Sequence, residues 1–208
     1  MHPGEAGFAM PLGFRLYLIT DRRMVPDLPA AVDRALSGIP PGAAAVQLRE
    51  KDLSASALLE LARSVGAICR RRGAPFLVND RLDVALAAGA DGVHLTGSSV
   101  VPKDARALLG SRLVGASCHS LEELEASAGA DFATYSPIFA SPGKGPAIGL
   151  EALRDAAVRM PIVALGGIDS ANARDAIHAG ASAVAAIRSW LADGDPAEAT
   201  ARLYASLA

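Results

Sequence analysis

LVNDRLDVALAAGADGVHL, residues 77–95, decides the fold. An apolar run closes on the polar pair Asn79-Asp80. A helix-like segment follows and stops at Gly89, and a second apolar run occupies 92–96. Strand, helix and strand in so short a stretch imply parallel strands joined by a right-handed crossover. The punctuation recurs: AGADGVHL (88–95), AGADFATY (128–135) and AGASAVAA (179–186) each place a glycine between helix and strand. Glycine takes the left-handed conformation beyond a helix end without steric cost. These turns are therefore expected at the bottom of the fold, away from chemistry.

Working outward, strand-length apolar runs stand at 14–20, 43–50, 75–80, 92–96, 113–119, 132–137, 161–167 and 183–187. Most are followed by amphipathic segments, such as 54–72, 121–127 and 171–179. Eight strand–helix units predict an α/β chain folded as a single (β/α)8 TIM barrel; an open doubly wound sheet is the alternative. Residues 14–208 are expected to form the barrel, and residues 1–13 a flexible N-terminal extension. The length of 208 residues suits one such domain.

Half the residues are hydrophobic but only 4% are aromatic, so the core is expected to be aliphatic, as in parallel strands buried on both faces. A net charge of −2 provides no basic field for nucleic acid, and no apolar run reaches the roughly 18 residues that cross a bilayer. Cys69 and Cys118 show neither metal spacing nor a disulfide framework. The N-terminal stretch lacks the pattern of a secretory signal. A cytoplasmic protein is expected, with its oligomeric state left open.

In this barrel, function collects at the C-terminal ends of the strands. Polar residues cluster at those ends: Thr20-Asp21-Arg22, Gln47 to Lys51, Asn79-Asp80, His94 with 96–99, Ser117 with His119, Ser136 with Lys144, Gly166-Gly167, and Arg188-Ser189. Gln47, Arg49 and Lys51 repeat every two residues and so share one side of an extended segment. An amide and two cations there could read a polar ring and grip an anion; a solvated strand end is the plainer reading. Gly166-Gly167 permits close backbone approach at a position where such barrels often hold phosphate. Arg188 could add a charge-assisted contact or be a solvated helix residue. Asp80 could ligate magnesium or cap a helix starting near Arg81. His119 could serve as a general acid or base, or cap and pack. His94, within a strand, reads as structural, and His178 as bland. The Gly/Pro loop SPGKGPAIG (141–149) belongs to the same end as the sixth strand's exit.

The stretches VQLREKDLS (46–54), LVNDRLDVALAAGADGVHL (77–95), VGASCHSLEE (114–123), SPIFASPGKG (136–145) and VALGGIDSANARDAIHAGASAVAAI (163–187) resemble the thiamine-phosphate synthase family, which includes the thiazole tautomerases. The resemblance implies coupling of hydroxymethylpyrimidine diphosphate to a phosphorylated thiazole, hydroxyethylthiazole phosphate, with loss of diphosphate assisted by Mg²⁺. It implies that Gln47 reads the pyrimidine, and Asn79 and Asp80 match the family's Asn-Asp pair, with Asn79 binding substrate. Arg49, Lys51 and Lys144 would hold diphosphate, as would Ser117. Asp80 would be a metal ligand. Gly167 and the backbone near Ile187 would hold the thiazole phosphate.

Three positions depart from the family pattern. Ser99 stands where the synthase usually has a second metal-binding aspartate. Ser141 and Gly143 stand where it has two threonines before the lysine. Arg188 replaces a usual serine. A tautomerase would need no metal and would use His119 for proton transfer. A non-catalytic thiazole-phosphate binder is a further alternative.

Overall fold

The computed structural model describes residues 12–192 and 194–208. Of the expected extension 1–13, residues 1–11 lie outside this range. Eight parallel strands close a barrel in sequence order: β1 (Leu16–Ile19), β2 (Ala44–Leu48), β3 (Phe76–Asn79), β4 (Gly92–Leu95), β5 (Leu113–Cys118), β6 (Phe132–Tyr135), β7 (Ile162–Ala164) and β8 (Ala183–Ala186). Each lies within one of the eight apolar runs. Closure by β8 against β1, with Leu16 opposite Val184, excludes the open sheet.

Helices cover the outside: α1 (Leu28–Ser37), α2 (Ala55–Arg72), α3 (Leu82–Ala88), α4 (Pro102–Leu109), α5 (Leu121–Ala126), α6 (Gly149–Ala157), α7 (Ala173–His178), α8 (Arg188–Leu191) and α9 (Pro196–Ala205). Local sequence sets their ends. Ser54 caps α2 by accepting from the Ala57 N–H, and Gly73 terminates it in the left-handed conformation. Gly89 ends α3 the same way. Among the described residues no helix is long and apolar enough to cross a membrane.

Strand alternation sorts side chains into two cores. Outward residues such as Leu16, Leu18, Val46, Leu48, Val78 and Val184 pack against the helices. Inward residues of the lower barrel, Phe14, Tyr17, Leu77, Phe132 and Val163, form a separate cluster. The expectation of an aliphatic core holds for the outer layer but not for this inner plug. Phe132 meets Phe14 and Tyr17 edge-on, with centroids 5.8 and 5.4 Å away. The plug closes the barrel from below and leaves its upper half for polar groups.

Candidate active site

The strand parity that turns Tyr17 inward does the same for Gln47, Asn79, His94, Ser117 and Thr134, which line a cavity of about 650 Å³ at the strand C-termini. Gln47 and Asn79 are buried, and the Gln47 amide donates to Asn79 Oδ1 at 3.4 Å. That bond leaves the Gln47 carbonyl as an acceptor and the Asn79 amide as a donor for a polar ring.

The same cavity is lined by Arg49, Lys51, Lys144 and Arg188. Among the described residues none of these four pairs with a carboxylate within 4.0 Å, although eleven ion pairs engage other cations. Four uncompensated cations around one cavity create a local anion site in a chain of net charge −2. The solvated-end reading of Gln47, Arg49 and Lys51 fits only Lys51, which is exposed.

Arg49 is held from behind by Thr20, Glu50 and the Arg22 backbone. Thr20 Oγ1 accepts from the Arg49 N–H at 2.9 Å and donates to Glu50 at 2.6 Å. Glu50 is buried and also accepts from the Arg22 N–H at 3.0 and 3.1 Å. One carboxylate thus locks the loops after β1 and β2 together. Alternation carries the hint: Glu50 has opposite parity to Arg49, so it turns away from the cavity.

On the opposite side, Gly167, Ile187 and Arg188 line the cavity with Ser141 and Lys144. The two glycines have φ of +95° and +65°. A Cβ on Gly166 would lie 2.7 Å from Pro137, and one on Gly167 would lie 2.5 Å from the Ala140 carbonyl. Glycine is therefore required first by the close packing of residues 137–140. Ser189 donates to the Ile168 carbonyl at 3.0 Å, and the Trp190 indole donates to the Ile19 and Ala186 carbonyls, both at 3.1 Å. These bonds fix α8 against the barrel. Arg188 reaches the Pro142 carbonyl at 3.3 Å, so it spans from β8 to the loop that carries Lys144.

His119 lies at the exposed rim of the cavity. Its backbone N–H donates to Glu123, and its Nδ1 is 2.8 Å from the Ser136 carbonyl. A carbonyl only accepts, so Nδ1 carries a proton and Nε2 is the acceptor nitrogen of the neutral ring. His94, expected to be merely structural, lines the cavity floor. Burial, with Arg49 nearby, pushes its pKa down to about 3, so the ring is neutral. Burial also holds the Tyr17 phenol well above its ordinary value. His178, in α7, does not line the cavity.

Asp80 and Ser99 do not line the cavity; they meet beside it. Asp80 is the one described non-glycine residue with positive φ, +65°. The Ser99 hydroxyl donates to its carboxylate, and Ser99 Oγ accepts from the Thr96 N–H at 2.8 Å. The helix-cap reading of Asp80 fails: Arg81 occupies the cap position of α3, without a side-chain bond. No group of three His, Cys, Asp or Glu suited to a metal exists among the described residues. A single carboxylate still fits magnesium that arrives with a phosphate ligand, because Mg²⁺ usually takes one or two carboxylates plus phosphate oxygens and water.

Four cations and a glycine-lined loop after β7, gathered at the strand C-termini, define a (β/α)8 protein with a positively charged, enzyme-like cleft. The family described as thiamine monophosphate synthase matches residues 16–190, and the chain belongs to it. The thiamine-phosphate synthase of Moorella thermoacetica is 45% identical over 177 residues, covering 81% of this chain and 83% of its own. That of Chloroflexus aurantiacus is 41% identical over 201 residues, covering 92% of each. The structure of thiamine phosphate pyrophosphorylase from Pyrococcus furiosus superposes with a TM-score of 0.87 at 34% identity, covering 95% of this chain and 97% of that one.

Proposed function

We propose that this protein is a thiamine-phosphate synthase, a transferase that couples hydroxymethylpyrimidine diphosphate to hydroxyethylthiazole phosphate, releasing diphosphate. The observation that carries this reading is the meeting of an amide pair, four unpaired cations and the β7–β8 phosphate loop in one cavity. A protein that bound only a thiazole phosphate would have no use for Gln47, Asn79, Arg49 and Lys51 on the far wall.

In this reading the Asn79 amide donates to a pyrimidine ring nitrogen while the Gln47 carbonyl accepts at the ring edge. Arg49, Lys51 and Lys144 draw the diphosphate away from the pyrimidine methylene, and Ser117 donates to it. The C–O bond breaks, and the diphosphate leaves with the electron pair. The thiazole nitrogen, held in place by its phosphate at Gly167, Ile187 and Arg188, closes the new C–N bond. Cations fixed where charge develops lower such a barrier without reorganising. Asp80 would hold Mg²⁺, which would neutralise charge on the departing diphosphate. Ser141 would steady the diphosphate beside Lys144. The protein would work in the cytoplasm on these two phosphorylated partners, with neither nucleic acid nor membrane.

Incubation with both substrates and Mg²⁺ should yield thiamine phosphate and diphosphate; absence of product across a range of Mg²⁺ would refute the reading. One observation favours a second reading, thiazole tautomerase: the bond from His119 Nδ1 to Ser136 leaves Nε2 as a base at the rim. Metal-free conversion of the thiazole carboxylate phosphate tautomer, slowed at least tenfold by His119→Ala, would support it. Equal rates would dismiss it.

A further inference from the structure

We infer that His94 is a positioning residue that fixes Ser117 as a hydrogen-bond donor toward the anion in the cavity, with Tyr17 setting the imidazole tautomer. This inference rests on the proposed placement of diphosphate at Ser117.

The imidazole lies between two polar partners. Its Nδ1 is 3.2 Å from the Tyr17 hydroxyl, and its Nε2 is 3.0 Å from Ser117 Oγ. Tyr17 is fully buried, and His94 is the only hydrogen-bond partner of its hydroxyl among the described residues. A buried phenol proton without an acceptor is costly. The Tyr17 proton therefore points at Nδ1, which must accept, and a neutral ring then carries its own proton on Nε2.

Thr134 accommodates the same tautomer. Its hydroxyl lies 3.5 Å from the Ala116 carbonyl and 3.4 Å from His94 Nε2. With a proton on Nε2, Thr134 gives its own proton to the carbonyl and turns a lone pair toward the ring. A ring with protons on both nitrogens would present the same Nε2–H. Ser117 Oγ thus receives a proton from His94. Its own proton finds no acceptor among the described residues, and Ser117 lines the cavity. The hydroxyl is left to donate into the space that Arg49 and Lys144 surround.

Neighbouring sequence makes room for this arrangement. Gly115 sits opposite His94 across β4 and β5. A Cβ there would lie 2.6 Å from Nδ1 and 2.6 Å from the Phe132 ring. The glycine permits the imidazole to lie flat enough to reach both partners, and Tyr17 and Phe132 pack on it with centroids 5.6 and 5.9 Å away.

The test has two arms. Long-range ¹H–¹⁵N correlation of the histidine side chains, with His94→Gln to assign the signal, should show His94 with Nε2 protonated and Nδ1 bare. A bare Nε2 would overturn the inference whatever the enzyme's activity. Calorimetry with inorganic diphosphate and Mg²⁺ forms the second arm. His94→Leu should weaken binding about tenfold, as loss of a buried donor to an anion-binding hydroxyl does. His94→Gln, which keeps an N–H, should stay within about threefold. On a Ser117→Ala background His94→Leu should change binding less than about twofold, because its effect runs through that hydroxyl. Equal losses with and without Ser117 would overturn the inference. If the unmodified protein does not bind diphosphate, the proposed function fails instead, and the ring-nitrogen spectrum still decides the tautomer.

Discussion

The Ser99 hydroxyl rests against the carboxylate of Asp80, nineteen positions earlier in the chain. The bond joins the ends of β3 and β4 and places beside the carboxylate a neutral group already engaged with the Thr96 N–H. Asp80 has a φ of +65°. Asp and Asn tolerate that region better than most residues, but it is still a sparsely populated one.

With Asp80 as the proposed magnesium ligand, Ser99→Asp adds a second carboxylate beside it and should tighten magnesium binding. The apparent Mg²⁺ requirement should fall about tenfold, the ratio that 1.4 kcal/mol of added interaction provides. Without metal the two carboxylates repel, so the variant should melt below the parent in EDTA and recover in Mg²⁺. Melting curves with and without Mg²⁺, beside a metal titration of turnover, check both. A variant indifferent to Mg²⁺ would place the metal elsewhere.

Arg49→Ala removes an unpaired cation from the cavity wall. Turnover should fall roughly 10²-fold or more, in the range of losing one preorganised electrostatic donor. Gln47→Ala should instead act mainly on the pyrimidine substrate's KM. Steady-state kinetics with each substrate varied separately distinguishes the two.

Glu50→Gln tests the lock behind Arg49. The amide brings a donor where the carboxylate accepted three hydrogen bonds, from Thr20 and the Arg22 N–H. Stability should drop by about 1–3 kcal/mol, the cost of an unsatisfied buried group. Diphosphate affinity should fall with it. Denaturant unfolding and calorimetry read the two effects, and unchanged diphosphate binding would show that Arg49 needs no such support.

Gly167→Ala would bring a Cβ within 2.5 Å of the Ala140 carbonyl at a φ of +65°. Backbone strain of about 1–3 kcal/mol adds to the clash. The melting temperature should fall by at least about 2–4 °C, the shift per kcal/mol for a domain of this size.

Both cysteines are buried, and burial pushes the Cys69 thiol up to about 12 and raises that of Cys118. The reactive species is the thiolate. At pH 8 the native protein should resist alkylation at both positions, and denaturant should expose both. Rapid native labelling of Cys69 would contradict its burial on the core side of α2.

The barrel was legible because it is written in local terms: apolar runs of strand length, and glycines such as Gly89 ending helices. The shared facing of Gln47, Arg49 and Lys51 is legible because alternation puts them on one side of the chain leaving β2. The Asp80–Ser99 contact is not, since it joins two loops nineteen positions apart. His94 reads in sequence as structural from its place in a strand, and its parity adds that it lines the cavity. Val93 and Leu95 turn outward, which leaves His94 facing inward at the level of Asn79. Glu50 was passed over for the same reason in reverse, as a charge that turns away from the cavity and into the scaffold.

The most direct test is a discontinuous assay of the purified protein with hydroxymethylpyrimidine diphosphate, hydroxyethylthiazole phosphate and Mg²⁺, with thiamine phosphate and released diphosphate quantified together. Equimolar formation of both products, reduced roughly 10²-fold or more by Arg49→Ala, is the predicted result. Binding of either substrate without formation of thiamine phosphate at any Mg²⁺ concentration would contradict it.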